Sequence, residues 1–252
     1  MTLQSIEDQF KELKLYYLSE NYEEFIKRAE DSAIKPRDLV EKITTLEIVE
    51  KANRSTARRL REARIGKFKT MDEFDWAWSS KLNKAQIDGL FTLEFLDSHS
   101  NLLLAGPQGV GKTMIARNLA WRAIMTGKTA CFTTASKLAS DLGQQNMPSN
   151  FERRLSKFVR PDLLIIDEVG YLSFDCQAAD LLFEVISRRY ETGSIILTTN
   201  LAFKDWNTIF PGAACLTAMI DRLTHHCEVI SFEGKSFRTK EAAERNRLNK
   251  KS

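Results

Sequence analysis

The chain of 252 residues has little of what marks secreted, membrane-bound or metal-binding proteins. Its longest apolar runs are only strand-sized, and its N-terminus lacks the basic-then-apolar layout of a signal peptide. The 4 cysteines form no C-x-x-C pair, and the 3 histidines are too few and too dispersed for an obvious metal cluster. We therefore expect a cytoplasmic protein that has no membrane partner and keeps its cysteines reduced.

The chain also has little excess of either charge, because its basic and acidic residues nearly balance and the net charge is only +3. Attraction to nucleic acid therefore has to come from local clusters of basic residues. Hydrophobic residues make up 43% of the chain, which is enough for one good core and a small accessory unit. This composition excludes a fibrous or a disordered chain.

A glycine-rich segment directly after an apolar run is the most informative motif. Residues 101–105 are apolar and lead into the spacing Gly-x4-Gly-Lys-Thr. Such a turn aims backbone N–H groups at phosphate oxygens, and the helix that begins there adds the positive end of its dipole. We expect Lys112 to reach the β- and γ-phosphates of ATP and Thr113 to bind Mg²⁺. The predicted nucleotide-binding residues are Gly106, Pro107, Gln108, Gly109, Val110, Gly111, Lys112, Thr113 and Met114.

A second apolar run, residues 163–166, ends in two acids, Asp167 and Glu168. At the carboxyl end of a strand beside a phosphate loop, Asp167 can hold the coordination shell of Mg²⁺ and so take part in binding the nucleotide. Glu168 can then polarise a water in line with the γ-phosphate. A neighbouring glutamate favours hydrolysis over phosphoryl transfer to a small acceptor, since water is the obvious recipient. The pair therefore predicts an ATPase.

Three further residues carry weaker signals. Asn200 ends an apolar strand and is a candidate for orienting the attacking water, although an Asn is equally common in the turn after a strand. Arg222 lies in an apolar-patterned helix, where its planar fork suits a γ-phosphate or a surface ion pair. Arg238 follows the last predicted strand and is a comparable candidate for binding the nucleotide.

The chain is predicted to hold three regions. Residues 1–67 form a small all-α domain for DNA binding or oligomerisation, with a second helix starting near Asn21 and a third at Pro36. Residues 68–240 alternate between strand and helix, which predicts an α/β fold with a parallel sheet covered on both faces. Residues 241–252 form a basic tail. The predicted strands are 101–105, 129–134, 162–167, 194–200 and 228–232, and the predicted helices between them are 112–126, 135–142, 150–158, 177–192 and 216–225.

Basic residues are concentrated between positions 51 and 69, where Glu62 is the single acid. On a helix, several of these residues share one face and could follow a phosphate backbone. The alternative is an ordinary solvated helix face, although such faces usually mix charges of both signs. No base-reading signature accompanies the cluster, so binding should be mainly electrostatic. The predicted DNA-binding residues are Lys51, Arg54, Arg58, Arg59, Arg61 and Arg64.

The phosphate loop, the acidic strand end, the strand-terminal Asn and the Asp-Arg-Leu helix occur in this order along the chain. In this arrangement the chain resembles the IstB-like ATPases of bacterial insertion sequences. These are AAA+ proteins related to the DnaC helicase loader and, more distantly, to the initiator DnaA. The stretches that look most like the family are residues 69–75, 167–172, 182–191 and 203–206.

The resemblance implies an AAA+ core around a five-stranded parallel sheet and assigns roles to three residues. Asn200 would be the first sensor, Arg238 the second sensor, and Arg222 an arginine finger that reaches the ATP of a neighbouring subunit. Family members assemble with ATP on duplex DNA, deform it, and recruit and stimulate the transposase of the same element. Few residues follow the last predicted strand, so the helical lid usual in AAA+ proteins is expected to be minimal or absent.

Two other functions share the same phosphate loop. A replicative helicase loader would need a surface for a helicase and a preference for single-stranded DNA. A monomeric small-molecule kinase would need an acceptor pocket and an arginine-rich lid within the chain. Gel filtration with ATP and DNA separates these classes, because a kinase stays monomeric.

Overall fold

The computed structural model describes residues 5–79, 82–144, 148–171 and 173–241. The chain divides into two compact units, one up to Arg58 and the other from Arg59 onward. This division falls earlier in the chain than the predicted domain boundary at residues 67–68. Of the predicted basic tail, only residue 241 lies among the described residues.

The first unit is built from helices. They are α1 (Ile6–Glu12), α2 (Tyr16–Asp31) and most of α3 (Pro36–Ala63), whose last residues belong to the second unit. The carboxylate of Glu47 is buried and accepts hydrogen bonds from the Leu18 N–H at 2.9 Å and from Arg54 at 2.8 Å. The bond from Leu18 ties α3 to the first turn of α2, and the bond from Arg54, one of α3's own residues, holds the carboxylate in place.

The third helix begins at Pro36, as the sequence predicted. The prediction of a helix start near Asn21 was wrong, because α2 runs unbroken through that position. The Asn21 side chain donates its hydrogen bond back to the Tyr17 carbonyl, one turn earlier, at 2.8 Å. An asparagine bonded in this way continues a helix instead of capping a new one.

The second unit contains a five-stranded sheet. Its strands are β1 (Asn101–Ala105), β2 (Ala130–Thr134), β3 (Leu163–Val169), β4 (Ser194–Thr199) and β5 (Cys227–Ser231). They are all parallel and lie in the order β2-β3-β4-β1-β5. This sheet confirms the predicted α/β fold class, and each strand begins and ends within two residues of its predicted position.

Helices cover both faces of this sheet. On β3, Leu163 and Ile165 point into the core on one face, whereas Leu164 and Ile166 point into the core on the other. Alternate side chains of a strand point in opposite directions, so a continuous apolar run is what a doubly covered strand requires. The helices of this unit are α4 (Lys84–Leu90), α5 (Glu94–Asp97), α6 (Lys112–Met125), α7 (Ala135–Gly143), α8 (Pro148–Val159), α9 (Cys176–Arg189) and α10 (Leu216–Thr224).

After β5, the described part of the chain holds only residues 232–241, of which 237–241 are helical. Among the described residues, no helix has the length and apolar character that crossing a membrane demands.

A fully buried arginine joins four elements of the core. The Arg189 guanidinium donates hydrogen bonds to five backbone carbonyls at distances from 2.7 to 3.1 Å. These carbonyls lie at the end of α8, before β3 and at the start of β4. A side chain at Gly193 would place its Cβ only 2.7 Å from the guanidinium, and burial lowers the pKa of Arg189 to about 10. Helix α9 ends at Arg189, three residues before its predicted end at 192.

Replacing Arg189 by Met should lower the free energy of unfolding by about 3–5 kcal/mol, because several buried carbonyls lose their donors. Urea unfolding followed by circular dichroism measures the change. Arg188→Met is the matched control, since Arg188 makes only exposed ion pairs and its loss should cost less than about 1 kcal/mol. Equal stability of the two variants would contradict the anchoring role.

Candidate nucleotide-binding site

The glycine-rich loop connects β1 to α6 and passes close to other parts of the chain. A Cβ on Gly106 would lie 2.3 Å from the carbonyl oxygen of Phe232, and a Cβ on Gly111 would lie 2.6 Å from the ring of Phe74. Both positions also have a positive φ, +149° and +103°, which side chains disfavour. Glycine is therefore required by both the space and the backbone conformation of the loop.

Lys112, the first residue of α6, is buried beneath the loop. Its Nζ donates hydrogen bonds to the carbonyl oxygens of Gly106 and Pro107, both at 2.6 Å. Burial lowers the pKa of Lys112 to about 8; the Asp167 carboxylate opposes this shift, and Arg238 adds to it. The loop thus holds a cation that is incompletely stabilised by neutral carbonyls and is suited to an anionic ligand.

Asp167 lies at the centre of the site and is only 3% exposed. Its Oδ1 accepts hydrogen bonds from the Thr113 hydroxyl at 3.0 Å and from the Thr198 hydroxyl at 2.5 Å. One carboxylate oxygen therefore connects the start of α6, the end of β3 and the end of β4. The structure brings together Thr113 and Asp167, the two residues predicted to bind Mg²⁺. Hydroxyl and carboxylate oxygens at this spacing suit Mg²⁺, which prefers a few protein oxygens together with water and phosphate oxygens.

Glu168 has an unusual backbone conformation, with φ at +65°. The pairing of β3 with β4 shifts register between Ile166 and Val169, and the Glu168 N–H donates to the Thr198 hydroxyl at 3.0 Å. A left-handed conformation costs a residue with a side chain about 1–3 kcal/mol, and such strain is concentrated at functional sites. The consequence here is that Asp167 is buried while the Glu168 side chain is exposed and faces the nucleotide cavity.

Asn200 follows β4 and lies beside the segment after Glu168. A Cβ on Gly170 would come within 2.6 Å of the Asn200 Oδ1, so Gly170 makes room for this amide. Asn200 is exposed and is not among the residues that line the cavity. The structure therefore places it next to the β3 end, beside the segment that carries Glu168.

The nucleotide cavity has a volume of about 240 Å³ and is formed by three parts of the second unit. The loop and the acidic strand end form its base, and residues 69–79 and 237–241 form its walls. It is lined by Lys69, Glu73, Phe74, Asp75, Ser79, Gly109, Val110, Gly111, Lys112, Thr113, Met114, Glu168, Tyr171, Phe237, Arg238 and Glu241. Arg238, predicted to bind the nucleotide, is thus brought to the loop.

The segment after β5 is attached directly to the phosphate loop. The Phe237 N–H donates to the Gly109 carbonyl at 2.9 Å, and Ser236 lies so close that a Cβ on Gly109 would be 2.1 Å from its hydroxyl. The short segment after β5 therefore packs directly against the loop.

The same segment is joined to the residues that precede the sheet. The Trp78 indole N–H donates to the Lys235 carbonyl at 2.8 Å, and Lys240 forms an ion pair with Asp75 at 2.7 Å. Lys240 also lies over the Trp78 ring, 4.9 Å from its centroid. This ion pair lowers the pKa of Asp75. Sequence reasoning assigned none of these residues to the site, although residues 69–75 are among the stretches that resemble the family.

Arg222 does not line the cavity of its own chain. Its guanidinium donates to the Ser187 hydroxyl and lies over the Phe183 ring, 4.7 Å from the centroid. Both partners belong to α9, so the arginine is held half-buried on the helical surface of the second unit. Within one chain, the structure does not bring Arg222 to the phosphate loop.

The predicted DNA-binding residues are divided between the two units. In the first, Lys51, Arg54 and Arg58 are exposed on α3, and Arg54 pairs with the buried Glu47. In the second, Arg59, Arg61 and Arg64 line a groove of about 510 Å³. Lys157 at the end of α8 and the following Arg160 line the same groove. Sequence reasoning missed these two residues, because they are distant from the basic cluster along the chain.

Comparison with known proteins identifies close relatives. The family model described as IstB-like ATP binding protein matches residues 8–245. A protein named for ATP binding in insertion sequence IS5376 of Geobacillus stearothermophilus is 36% identical over 91% of both chains. The corresponding protein of insertion sequence IS21 from Pseudomonas aeruginosa is 32% identical over 94% of this chain and 90% of its own.

Solved structures show the same fold at low sequence identity. The crystal structure of DnaI has a TM-score of 0.53 and 16% identity, and the match covers 70% of this chain and 92% of DnaI. DnaA from Aquifex aeolicus, solved with bound AMPPCP, has a TM-score of 0.54 and 19% identity, with 71% and 55% covered. These similarities concern the fold alone.

The pKa of Lys112 predicts how nucleotide affinity depends on pH. The ammonium form binds phosphate, and in the free protein it is lost as the pH rises through about 8. Affinity for ATP should therefore be constant below that pH and fall by up to about tenfold per unit above it. Isothermal titration calorimetry between about pH 7 and pH 9.5 measures this profile. Lys112→Arg, which keeps its charge over this range, should give a flat profile; a flat profile for the unmodified protein would contradict the assignment.

Proposed function

The chain belongs to the IstB-like ATP-binding protein family, and on that basis we propose that it is an ATPase whose assembly on duplex DNA controls transposition. Membership supports ATP binding and a role for the chain in the transposition of an insertion sequence. Hydrolysis, DNA binding, assembly of subunits and recruitment of the transposase are the proposed steps. DNA and ATP are both cytoplasmic, so we assign the activity to that compartment.

The observation that carries the proposal is the contact between Thr113 and Asp167 beside the exposed Glu168. Thr113 and Asp167 would hold Mg²⁺, which neutralises charge on the phosphates of ATP when it is bound. Lys112 leaves the loop carbonyls for the β- and γ-phosphate oxygens. Glu168 orients a water for attack on the γ-phosphate, and Asn200 positions the same water.

In this proposal each ATP site is completed by a neighbouring subunit. Arg222 lies outside the cavity of its own chain and is held on the surface of α9 by Ser187 and Phe183. A planar guanidinium in this position can reach the γ-phosphate of ATP bound to a second copy. ATP then stabilises the contact between subunits, and hydrolysis releases it. Arg238, which lines the cavity, would act as the second sensor within the chain.

We assign DNA binding to the basic residues of both units. In the first unit these are Lys51, Arg54 and Arg58 on α3. In the second, the groove of Arg59, Arg61, Arg64, Lys157 and Arg160 provides closely spaced cations with Glu62 as its acidic member. Phosphate contacts of this kind bind duplexes of any sequence and depend strongly on salt.

Transposition is favoured over helicase loading by the relatives themselves. The proteins that are more than 30% identical over most of the chain are named for insertion sequences, whereas the similarity to DnaI extends to the fold only. The partner of the assembled, DNA-bound protein is therefore proposed to be the transposase of the same element, which would be recruited to deformed DNA.

A complementation experiment tests the shared site. Arg222→Ala and Glu168→Gln should each bind ATP normally and hydrolyse it at least about 100-fold more slowly, because each lacks one part of the composite site. An equal mixture of the two variants should recover activity in the presence of duplex DNA. In the mixture, a subunit with an intact Glu168 receives Arg222 from its Glu168→Gln neighbour.

Phosphate release and gel filtration are the measurements, and Arg188→Ala, altered on the exposed face of α9, is the control. Normal hydrolysis by Arg222→Ala at every protein concentration, or a mixture as inactive as its components, would refute a site shared between subunits.

The groove predicts a defined salt dependence of DNA binding. The double variant Lys157→Ala, Arg160→Ala should bind duplex DNA more weakly than the unmodified protein does, and the loss of affinity should be similar for duplexes of unrelated sequence. The slope of log affinity against log salt should decrease by about 0.9 for each phosphate that the variant no longer neutralises. Fluorescence anisotropy with labelled duplexes gives both quantities. Arg122→Ala, Lys204→Ala removes two exposed cations outside the groove and should leave the slope unchanged; equal slopes for all three proteins would exclude the groove from DNA binding.

A further inference from the structure

Two histidines and a glutamate come together at the end of the sheet where the strands begin, opposite the end that carries the phosphate loop. His225 and His226 lie in the turn between α10 and β5, and Glu191 lies in the turn between α9 and β4. One potential ligand atom from each residue lies within 4.8 Å of the other two. Sequence reasoning, which found the histidines too dispersed for an obvious metal cluster, did not anticipate that two of them lie beside Glu191.

Both turns are fixed by Asn101, the first residue of β1. Its side chain donates to the Leu223 carbonyl at 3.1 Å and accepts from the Ile195 N–H at 2.9 Å. Its backbone N–H donates to the His226 carbonyl at 2.7 Å. Glu191 itself has a left-handed backbone conformation, with φ at +58°. The three side chains are thus presented by turns that are tied to the centre of the sheet.

A second interaction orients one of the imidazoles. Tyr190 and His225 form a hydrogen bond of 2.9 Å between the phenol oxygen and Nδ1. In the tautomer whose Nδ1–H donates to the phenol oxygen, Nε2 of His225 keeps a free lone pair that can bind a metal, which is the usual arrangement of metal-binding histidines. The rings of His225 and His226 lie side by side, with centroids 4.1 Å apart.

We propose that Glu191, His225 and His226 bind a divalent transition metal, with Zn²⁺ as the best match. Two neutral imidazoles and one carboxylate form a common Zn²⁺ ligand set, which leaves a fourth position for water. Tetrahedral coordination with metal–ligand distances of about 2.0–2.2 Å places the ligand atoms about 3.5 Å apart. The three side chains are exposed, so they can rotate about their own bonds to bring ligand atoms that lie within 4.8 Å of one another to this spacing.

The surrounding charges also suit a cation. The groups whose charges reach Tyr190 are Glu191 and Asp221, which are acidic, and Arg222, which is basic. Arg222 itself is bonded to Ser187. Bound metal would connect the end of α10, the helix that carries Arg222, to the turn after α9. The role of the metal is structural: it holds that helix in place. It takes no part in the nucleotide site, because Lys112 and Glu168 lie at the opposite end of the strands.

Calorimetric titration of ZnCl₂ into the full chain, after treatment with EDTA, tests the site. A single equivalent of Zn²⁺ should bind and raise the melting temperature. His225→Ala and His226→Ala should each weaken binding by at least about tenfold, and Tyr190→Phe by about tenfold, because the loss of an orienting partner reduces metal affinity by that order. His99→Asn is the matched control, since it replaces the one histidine outside the cluster.

Circular dichroism and affinity for ATP should be the same for all variants, because both histidines are exposed and the cluster is distant from the nucleotide loop. Unchanged Zn²⁺ affinity in the double variant His225→Ala, His226→Ala would overturn the proposal. Loss of the binding in Cys176→Ser would also overturn it, because that result would assign the metal to the exposed thiol.

Discussion

The Asp167 carboxylate is the group on which the nucleotide site depends. It is buried at the end of the central strands and accepts hydrogen bonds from Thr113 on α6 and Thr198 on β4. A buried charge needs such partners, so the helix that follows the phosphate loop cannot move independently of the sheet. The same strand end then bends at Glu168, whose left-handed backbone turns its side chain out of the core. Two neighbouring positions therefore carry one buried acid, Asp167, and one exposed acid, Glu168.

The walls of the site come from segments at opposite ends of the second unit. Residues 69–79 precede the sheet and residues 235–241 follow it, and they meet through the Trp78–Lys235 hydrogen bond and the Asp75–Lys240 ion pair. The Phe237 N–H then attaches this pair of segments to the phosphate loop at Gly109. A nucleotide that enters the cavity therefore contacts the loop, the entry to the sheet and the exit from it. This arrangement links nucleotide binding to the segments that enter and leave the sheet.

Most of the parallel strands could be located accurately from the sequence because they are continuous apolar or β-branched runs, as strands covered on both faces require. The edge strand β5, in which Glu228 and Val229 are exposed, is the exception. The short helices α4 and α5 were missed, since one or two turns contain too few residues to show a helical period. The Arg189 guanidinium binds carbonyls of three other elements, and no local pattern in the sequence reports these interactions. Likewise, Asn21 was mistaken for the start of a helix, because its side-chain bond to the preceding turn cannot be seen in the sequence.

The sequence by itself determined the fold class, the phosphate loop and the acidic strand end, because each is encoded by residues that are adjacent along the chain. Only the tertiary structure decided which distant residues meet. The strand order β2-β3-β4-β1-β5 places Thr198 beside Asp167. The turns at the other end of the strands, before β4 and β5, bring Glu191 to His225 and His226. The tertiary structure also left Arg222 outside its own cavity. The physical reason is that hydrogen bonds and ion pairs act over a few ångströms in space, whatever the separation of their partners in the chain.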